Sequence, residues 1–175
     1  MNGARRDEIE KQLRFESFFR AHYDRIERYV ARRVPNSRVD DIVAATFVVA
    51  WRKFSRVNLP SLPWLFRIAS FEIKNSDRGA RKSDLHLSPD VFETKWIETL
   101  EIFDGAPVVA AMAQLSEGDR EILRLVHWDD LTRYEVAEVL KLTVSASNMR
   151  YHRALSRLER MLSPKENLTH EGIRP

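Results

Sequence analysis

Cysteine is absent from the 175 residues, which excludes a disulfide framework and thiolate metal sites and suits a reducing cytoplasm. Glycine is nearly absent too. The five present, Gly3, Gly79, Gly105, Gly118 and Gly172, never fall close enough together for either common phosphate-cradling loop, so nucleotide-binding enzymes become poor candidates. Long apolar runs are missing. The longest, Ile42 to Trp51, is ten residues interrupted by Thr46, about half of the ~20 needed to cross a bilayer. No basic stretch at the amino terminus leads into an apolar run and a cleavage site, so a soluble protein without membrane insertion is expected. The five histidines, His22, His86, His127, His152 and His170, never stand at two-ligand helical spacing, which argues against a metal. The neighbouring acids Asp40 and Asp41, and Asp129 and Asp130, point in different directions on a helix and suit capping or partner contact better than acid–base chemistry. No cofactor is expected.

What the chain does have is charge and helical pattern. Apolar residues make up 43% and charged ones 31% of 20.5 kDa, enough for one ordinary domain or two small ones. Residues 1–82 carry 18 Lys and Arg against 10 acids, residues 83–105 one Lys against six acids, and the remainder 10 against 10. Within that last part Leu115 to Leu140 holds three Arg against seven acids, and Lys141 to Arg160 five basic residues against Glu159 alone. A basic front half and a basic late helix around an acidic stretch suit two contacts with nucleic acid. Solvated helix faces produce the same pattern, and charge alone does not choose between them.

Periodicity predicts an all-α fold. Phe15, Phe18, Phe19, Tyr23, Ile26, Tyr29 and Val30 recur at spacings of three and four, marking one face of a helix that ends near Val34 and Pro35 with an Arg-rich opposite face. Asn36 and Ser37 read as caps of a second helix, with Asp40 and Asp41 in its first turn complementing the macrodipole. It runs to about Phe54, its apolar positions Val39, Ile42, Val43, Phe47, Ala50, Trp51 and Phe54 packing on the first helix. After a loop over Ser55 to Pro63, a third helix starts at Ser61 or Pro63 and closes in the cluster Arg78, Arg81, Lys82. Residues 1–82 form a first domain on this reading. Residues 83–105 form an acidic linker, partly helical over Val91 to Phe103.

The second domain spans residues 106–162, followed by a polar tail over 163–175 that lacks periodicity and reads as disordered. Pro107 to Leu115 forms a short helix, Ser116 caps the next, Thr132 caps Arg133 to Leu140, Lys141 to Thr143 turn, and Val144 to Leu162 is a long helix. In that last helix Val144, Tyr151, Ala154, Leu155, Leu158 and Met161 share one face, and Ser145, Asn148, Met149, His152, Arg153 and Ser156 the other. Asn, Arg and His side chains present donors and acceptors to base edges in a major groove, and Met can meet a thymine methyl. An amphipathic bundle helix with a polar outside is the plainer account of the same face.

Taken together these residues resemble the small two-domain sigma factors of bacterial RNA polymerase, the extracytoplasmic-function group of the sigma-70 family. The first domain carries the likeness in Phe15 to Arg33, then Asp40, Asp41, Ile42, Val43, Thr46, Phe47, Ala50 and Trp51, and most specifically in Pro63 to Ala69. The second carries it in Leu115, Arg120, Glu121 and Leu125, then Leu131, Tyr134 to Ala137 and Leu140, and finally Arg150, His152, Arg153, Ala154 and Leu158. The resemblance implies a transcription initiation factor, not an enzyme, that binds core polymerase through its clamp and flap regions and recognises the −10 and −35 promoter elements. By that likeness Asp40, Asp41 and Arg52 would contact the clamp of the largest subunit. Arg56, Asn58, Trp64 and Arg67 would hold the opened proximal element, with Arg78, Arg81 and Lys82 on its phosphates. Asn148, Met149, His152 and Arg153 would read the distal element, with Lys141, Arg150 and Arg157 near its backbone. The acidic linker would thread toward the basic RNA path of the polymerase, and an anti-sigma protein would be a further partner. Against the family's usual residues the chain differs at Ala44, Ala45, Phe71, Asn75, Lys141 and Ser147. Two other readings remain: a helix-turn-helix regulator that binds an operator without polymerase, and a module that sequesters a partner and reads no DNA.

Overall fold

A computed structural model describes residues 2–82 and 106–163. The linker 83–105 and the tail from residue 164, with the readings made of them, lie outside the described residues. Helix α1 spans Asn2–Ala31, α2 Val39–Lys53 and α3 Leu62–Lys82, with short 3-10 turns at Asn36–Arg38 and Phe54–Arg56. Helices α4 (Ala106–Gln114), α5 (Glu117–His127), α6 (Arg133–Leu140) and α7 (Val144–Leu162) build the second half. Among the described residues every regular element is helical, and no helix is long and apolar enough to cross a membrane.

The first three helices pack on one another because each contributes one apolar stripe. Ile26, Tyr29 and Val30 of α1 meet Ile42, Val43, Phe47 and Ala50 of α2 and Leu65, Phe66 and Ala69 of α3 in a buried cluster. Aromatic edges fit the upper end of this core: Phe15 meets Trp51 at 5.0 Å and Phe54 at 5.1 Å between ring centroids. Thr46, fully buried, donates its hydroxyl hydrogen to the Ile42 carbonyl at 2.7 Å, so its polar atom is satisfied inside the helix. One capping expectation is corrected. Asn36 and Ser37 form the 3-10 turn, Arg38 stands at the N-cap of α2, and no side chain caps it. Asp40 and Asp41 do occupy the first turn, where the exposed N–H groups and the macrodipole favour carboxylates. A side-chain cap is therefore replaced by charge.

In the second half the caps follow the sequence. Ser116 accepts from the Asp119 amide, Thr132 and Glu135 form a reciprocal capping box, and Thr143 accepts from the Ala146 amide. Between α6 and α7 Lys141 adopts φ 54, ψ 43, the left-handed conformation that costs a residue with a Cβ about 1–2 kcal/mol. The tight turn sets α7 across α5 and α6, with Tyr151 and Ala154 buried against Ile122, Leu125 and Val136. Met161, expected on that buried face, is exposed, because the last turn of α7 runs past the helices beneath it.

The sequence reading left the contact between the two halves open. The structure brings them together: α6 packs on α3, and the buried residues of both halves form one contiguous cluster. Ser61 donates to Glu138 at 3.4 Å across this contact.

Candidate nucleic-acid and polymerase interface

Three solvent-facing surfaces collect the residues singled out above. The first lies on α2. Asp40, Asp41 and Arg52 are all exposed, and at helical spacing Asp41 and Arg52 share a face with exposed Ala44 and Val48. Val48, 48% exposed, gives this charged face an apolar centre. Sequence reasoning passed it over because Val48 sits inside the longest apolar run, where burial is the default expectation.

The second surface lies around the turn after α2 and along α3. Arg56 and Asn58 are exposed on a cleft of about 640 Å³ whose opposite wall is Asp7, Glu10, Lys11 and Arg14 of α1. Lys11 sits over the Trp51 ring at 4.0 Å and Arg14 over the Phe54 ring at 6.0 Å, which orients both cations by attraction to the ring faces. Neither was foreseen, although their spacing of three placed them on one side of α1. Ser61 accepts from the Trp64 amide at 3.3 Å, capping the start of α3. Trp64 is half-buried and packs toward Phe18 at 6.2 Å between centroids, so most of its ring serves the core. Arg67 is half-buried and Arg78 exposed. The side chains of Arg81 and Lys82 lie outside the described residues.

The third surface is the outer face of α7. Met149, His152 and Arg153 are exposed and Asn148 is half-buried, so the structure gathers the four on one outward side. His152 and Arg153 line a shallow concavity of about 320 Å³ with Ser156, Arg157 and Arg160. Lys141 is exposed at the head of the helix. Arg150 and Arg157 turn back: Arg150 Nε donates to Asp119 Oδ1 at 3.3 Å, and Arg157 bonds Asp119 Oδ2. Burial pushes the Asp119 carboxyl up, but hydrogen bonds from Ser116 and Arg150 and the charge of Arg157 outweigh it and hold the group below the ordinary carboxylate range. Gly118 makes room for this brace, since a Cβ there would run into the Arg150 guanidinium. Beneath the helix, Tyr151 shares a hydrogen bond of 3.0 Å with His127 Nε2, and Arg133 stacks over the Tyr151 ring at 3.3 Å.

Behind these surfaces lies a polar network that joins the two halves. Arg33, 5% exposed, donates to Asp129 Oδ2 at 2.8 Å, to Glu121 at 3.0 and 3.1 Å, and to the Tyr29 carbonyl at 2.9 Å. Arg32 adds a 2.8 Å bond to Asp129 Oδ1, and Arg25 a 2.7 Å bond to the Asp129 carbonyl. Burial works against the Arg33 charge, but Glu121, Tyr29 and Asp129 outweigh it and push the guanidinium pKa above its ordinary value. Nearby Arg124 is pushed down to about 10, first by burial and then by the charge of Arg33. Asp130, at φ 52, completes the bend that presents Asp129 to α1. Among the described residues no group of His, Asp and Glu could hold a metal ion.

Comparison with known proteins places these features in a family. A profile of Sigma-70 region 2 matches residues 18–83, and one of Sigma-70 region 4 matches residues 106–158. The RNA polymerase sigma factor NccH of Alcaligenes xylosoxydans xylosoxydans is 30% identical over 147 residues, covering 76% of this chain and 77% of that protein. CnrH of Cupriavidus metallidurans is 31% identical over 147 residues, covering 74% and 75%. The solved structure of CnrH in complex with the cytosolic domain of CnrY superimposes with a TM-score of 0.62 at 27% identity, over 86% of this chain and 88% of that one. The sigma factor RpoE of Bartonella quintana, solved with the anti-sigma factor NepR, shares the fold with a TM-score of 0.59 at 17% identity, over 86% and 98%. The chain belongs to the sigma-70 family of RNA polymerase sigma factors, within its extracytoplasmic-function group.

Proposed function

We propose that this protein acts in the cytoplasm as a transcription initiation factor that binds core RNA polymerase and directs it to promoters, without catalysing a reaction of its own. The α2 face around Asp40, Asp41 and Arg52 docks on the polymerase clamp. The turn carrying Arg56 and Asn58, with the start of α3, holds the −10 element, and α7 reads the −35 element through Asn148, Met149, His152 and Arg153. The observation that carries this reading is the pairing of two family-matched regions in the right order with an outward α7 face of base-reading side chains. A protein partner of the anti-sigma kind, as in the solved complexes of CnrH and RpoE, belongs to the same proposal.

The reading requires the two halves to part. Elements centred about 25 base pairs apart lie roughly 85 Å apart on B-DNA at 3.4 Å per pair. Helix α7, with 19 residues, is only about 28 Å long, and α6 beside it rests on α3. The 23 residues from 83 to 105 can reach about 80 Å when extended, and with the width of the two helical halves at its ends that covers the open span. Mixing the protein with bacterial core polymerase tests the function: selective initiation from promoter templates is expected, absent from core alone. Initiation no more selective than that of the bare core would overturn it.

A further inference from the structure

At the junction of the two halves, three arginines of α1 share one side. At about 100° per residue, positions 25, 28 and 32 fall within a sector of about 60°, and they are Arg25, Arg28 and Arg32. With Phe66 of α3 and Trp128, Asp129 and Asp130 of the bend after α5 they line a cleft of about 230 Å³, apart from the three surfaces described above. Much of the carboxylate charge in this cleft is already engaged. Asp129 accepts from Arg32 at Oδ1 and from Arg33 at Oδ2, each at 2.8 Å, and its side chain is 1% exposed. Arg25 reaches a neutral partner, the Asp129 carbonyl, at 2.7 Å. Arg28 is exposed and has no hydrogen-bond or ion-pair partner among the described residues. Of the lining residues, Asp130 is the carboxylate left over, exposed at φ 52.

Two guanidinium charges against one exposed carboxylate make the cleft attractive to an anion. Arg124, whose carbonyl accepts from the Asp129 amide at 3.1 Å, feels the same crowding of positive charge: burial and then Arg33 push it down to about 10. Guanidinium forks pair with two oxygens at a time, on carboxylates or on phosphates. A terminal phosphate carries a charge of about −1.5 to −2 at pH 7 and three acceptor oxygens, enough for both unengaged arginines, whereas a carboxylate brings one charge and two oxygens. Duplex DNA does not enter a space of this size, which leaves small compounds. We propose that the cleft binds the terminal phosphate of a small phosphate compound, held by Arg28 and Arg25 with Arg32 alongside. Its walls come from both halves, so occupancy ties α1 to the bend after α5 and opposes the opening that the promoter reading requires. The binding itself does not depend on that reading.

The test uses the full-length protein with inorganic phosphate and pyrophosphate as probes, at an ionic strength held constant with sodium chloride. The wild-type melting temperature is expected to rise by roughly 3–6 °C once a probe reaches about ten times its Kd. Tryptophan emission should change as well, through Trp128, and Trp128→Phe should remove that change while the melting shift remains. Arg28→Ala is expected to weaken probe binding by about tenfold or more, and Arg28→Lys by less, since lysine keeps the charge without the planar fork. Asp130→Asn should tighten binding severalfold by removing the opposing carboxylate, with a side chain that tolerates the left-handed conformation. Arg20→Ala, on the same helix but outside the cleft, should change nothing. Equal melting shifts in wild type and Arg28→Ala, or a shift that sodium chloride alone reproduces, would overturn the proposal as ordinary screening by salt. Weaker binding by Asp130→Asn would overturn it too. Short duplex DNA that displaces pyrophosphate and loses affinity in Arg28→Ala would also overturn it, giving these arginines to the nucleic-acid backbone. Melting and emission are read without polymerase, so a failure of the promoter reading leaves this result standing.

Discussion

Asp119 and Asp129 lie near the two ends of α5, and each gathers two arginines through its carboxylate, yet the arginines come from different places. Asp119 holds Arg150 and Arg157, 31 and 38 residues away in the same half of the chain. Asp129 holds Arg32 and Arg33, 97 and 96 residues away in the other half. The first pair of contacts braces α7 on α5. The second clasps the two halves shut, and on the proposed function it is the one that has to open. The Asp129 side chain is 1% exposed and that of Arg33 6%, whereas Arg150 and Arg157 remain 42% and 49% exposed. A buried pair strongly resists losing one partner, while a wet pair contributes little.

The sharpest way to break this comparison is to remove the clasp. Asp129→Ala leaves the Arg33 charge buried with Glu121 alone, a loss of about 3–5 kcal/mol for as long as the halves stay closed. Opening lets water reach Arg33, so the expected outcome is an extended chain: a larger radius of gyration by small-angle scattering with helical circular dichroism unchanged. Adding Arg33→Met, which replaces the charge with an apolar side chain, should favour closure again. An Asp129→Ala chain as compact as wild type would show that the apolar contact of α3 with α6 holds the halves by itself.

A second experiment addresses the outer face of α7. Arg153→Ala is expected to cost ~1–3 kcal/mol in promoter recognition and to relax selectivity at one base pair. Footprinting against a library of −35 sequences reads this out, and a uniform loss across sequences would move Arg153 to the phosphate backbone. The brace should respond more weakly. Asp119→Asn removes two partly exposed ion pairs, worth about 1 kcal/mol together after solvent screening, and its effect should depend on pH. The folded carboxyl titrates below its unfolded value, so its contribution is complete above the ordinary carboxylate pKa near 4 and fades as pH falls through the lower folded value. Melting curves of wild type and Asp119→Asn should differ at neutral pH and converge in strong acid. A constant difference would mean that packing over Gly118, rather than charge, is what the substitution disturbs.

Much of this arrangement was legible in the residues. The spacing of Phe15 to Val30 and of Val39 to Phe54 fixed two apolar stripes, and Ser116, Thr132 and Thr143 marked three helix starts that their hydroxyls cap. Such signals are local, carried by neighbours three or four positions apart. The segmental charge balance was also visible, but its meaning was not. The acids crowded between Leu115 and Leu140 include Asp119, Glu121 and Asp129, and these three spend their charge inside the protein, on Arg150 and Arg157 and on Arg32 and Arg33. A carboxylate and an arginine separated by 96 residues leave no periodic trace. Val48, Lys11 and Arg14 were missed for the related reason that exposure of a residue in or beside an apolar pattern depends on which neighbour fails to cover it.

The smallest expected effect lies at Ser147, on the buried side of α7. Its side chain is 1% exposed, and its hydroxyl has no hydrogen-bond partner. A polar group withdrawn from water without compensation costs about 1–3 kcal/mol, and serine is also a weaker helix former than alanine. Ser147→Ala removes one atom, so the cavity it leaves is smaller than a methyl group and its penalty is minor. The expected outcome is a stabilisation of about 1 kcal/mol, read as a melting temperature raised by roughly 2–4 °C for a chain of this size. Promoter selectivity should stay as it is, because the substituted position faces away from Met149, His152 and Arg153. A lower melting temperature would show that the hydroxyl is satisfied after all, by water held between α7 and the helices under it. Helix α7 would then be supported by a polar contact at its centre as well as by the Asp119 brace at its edge.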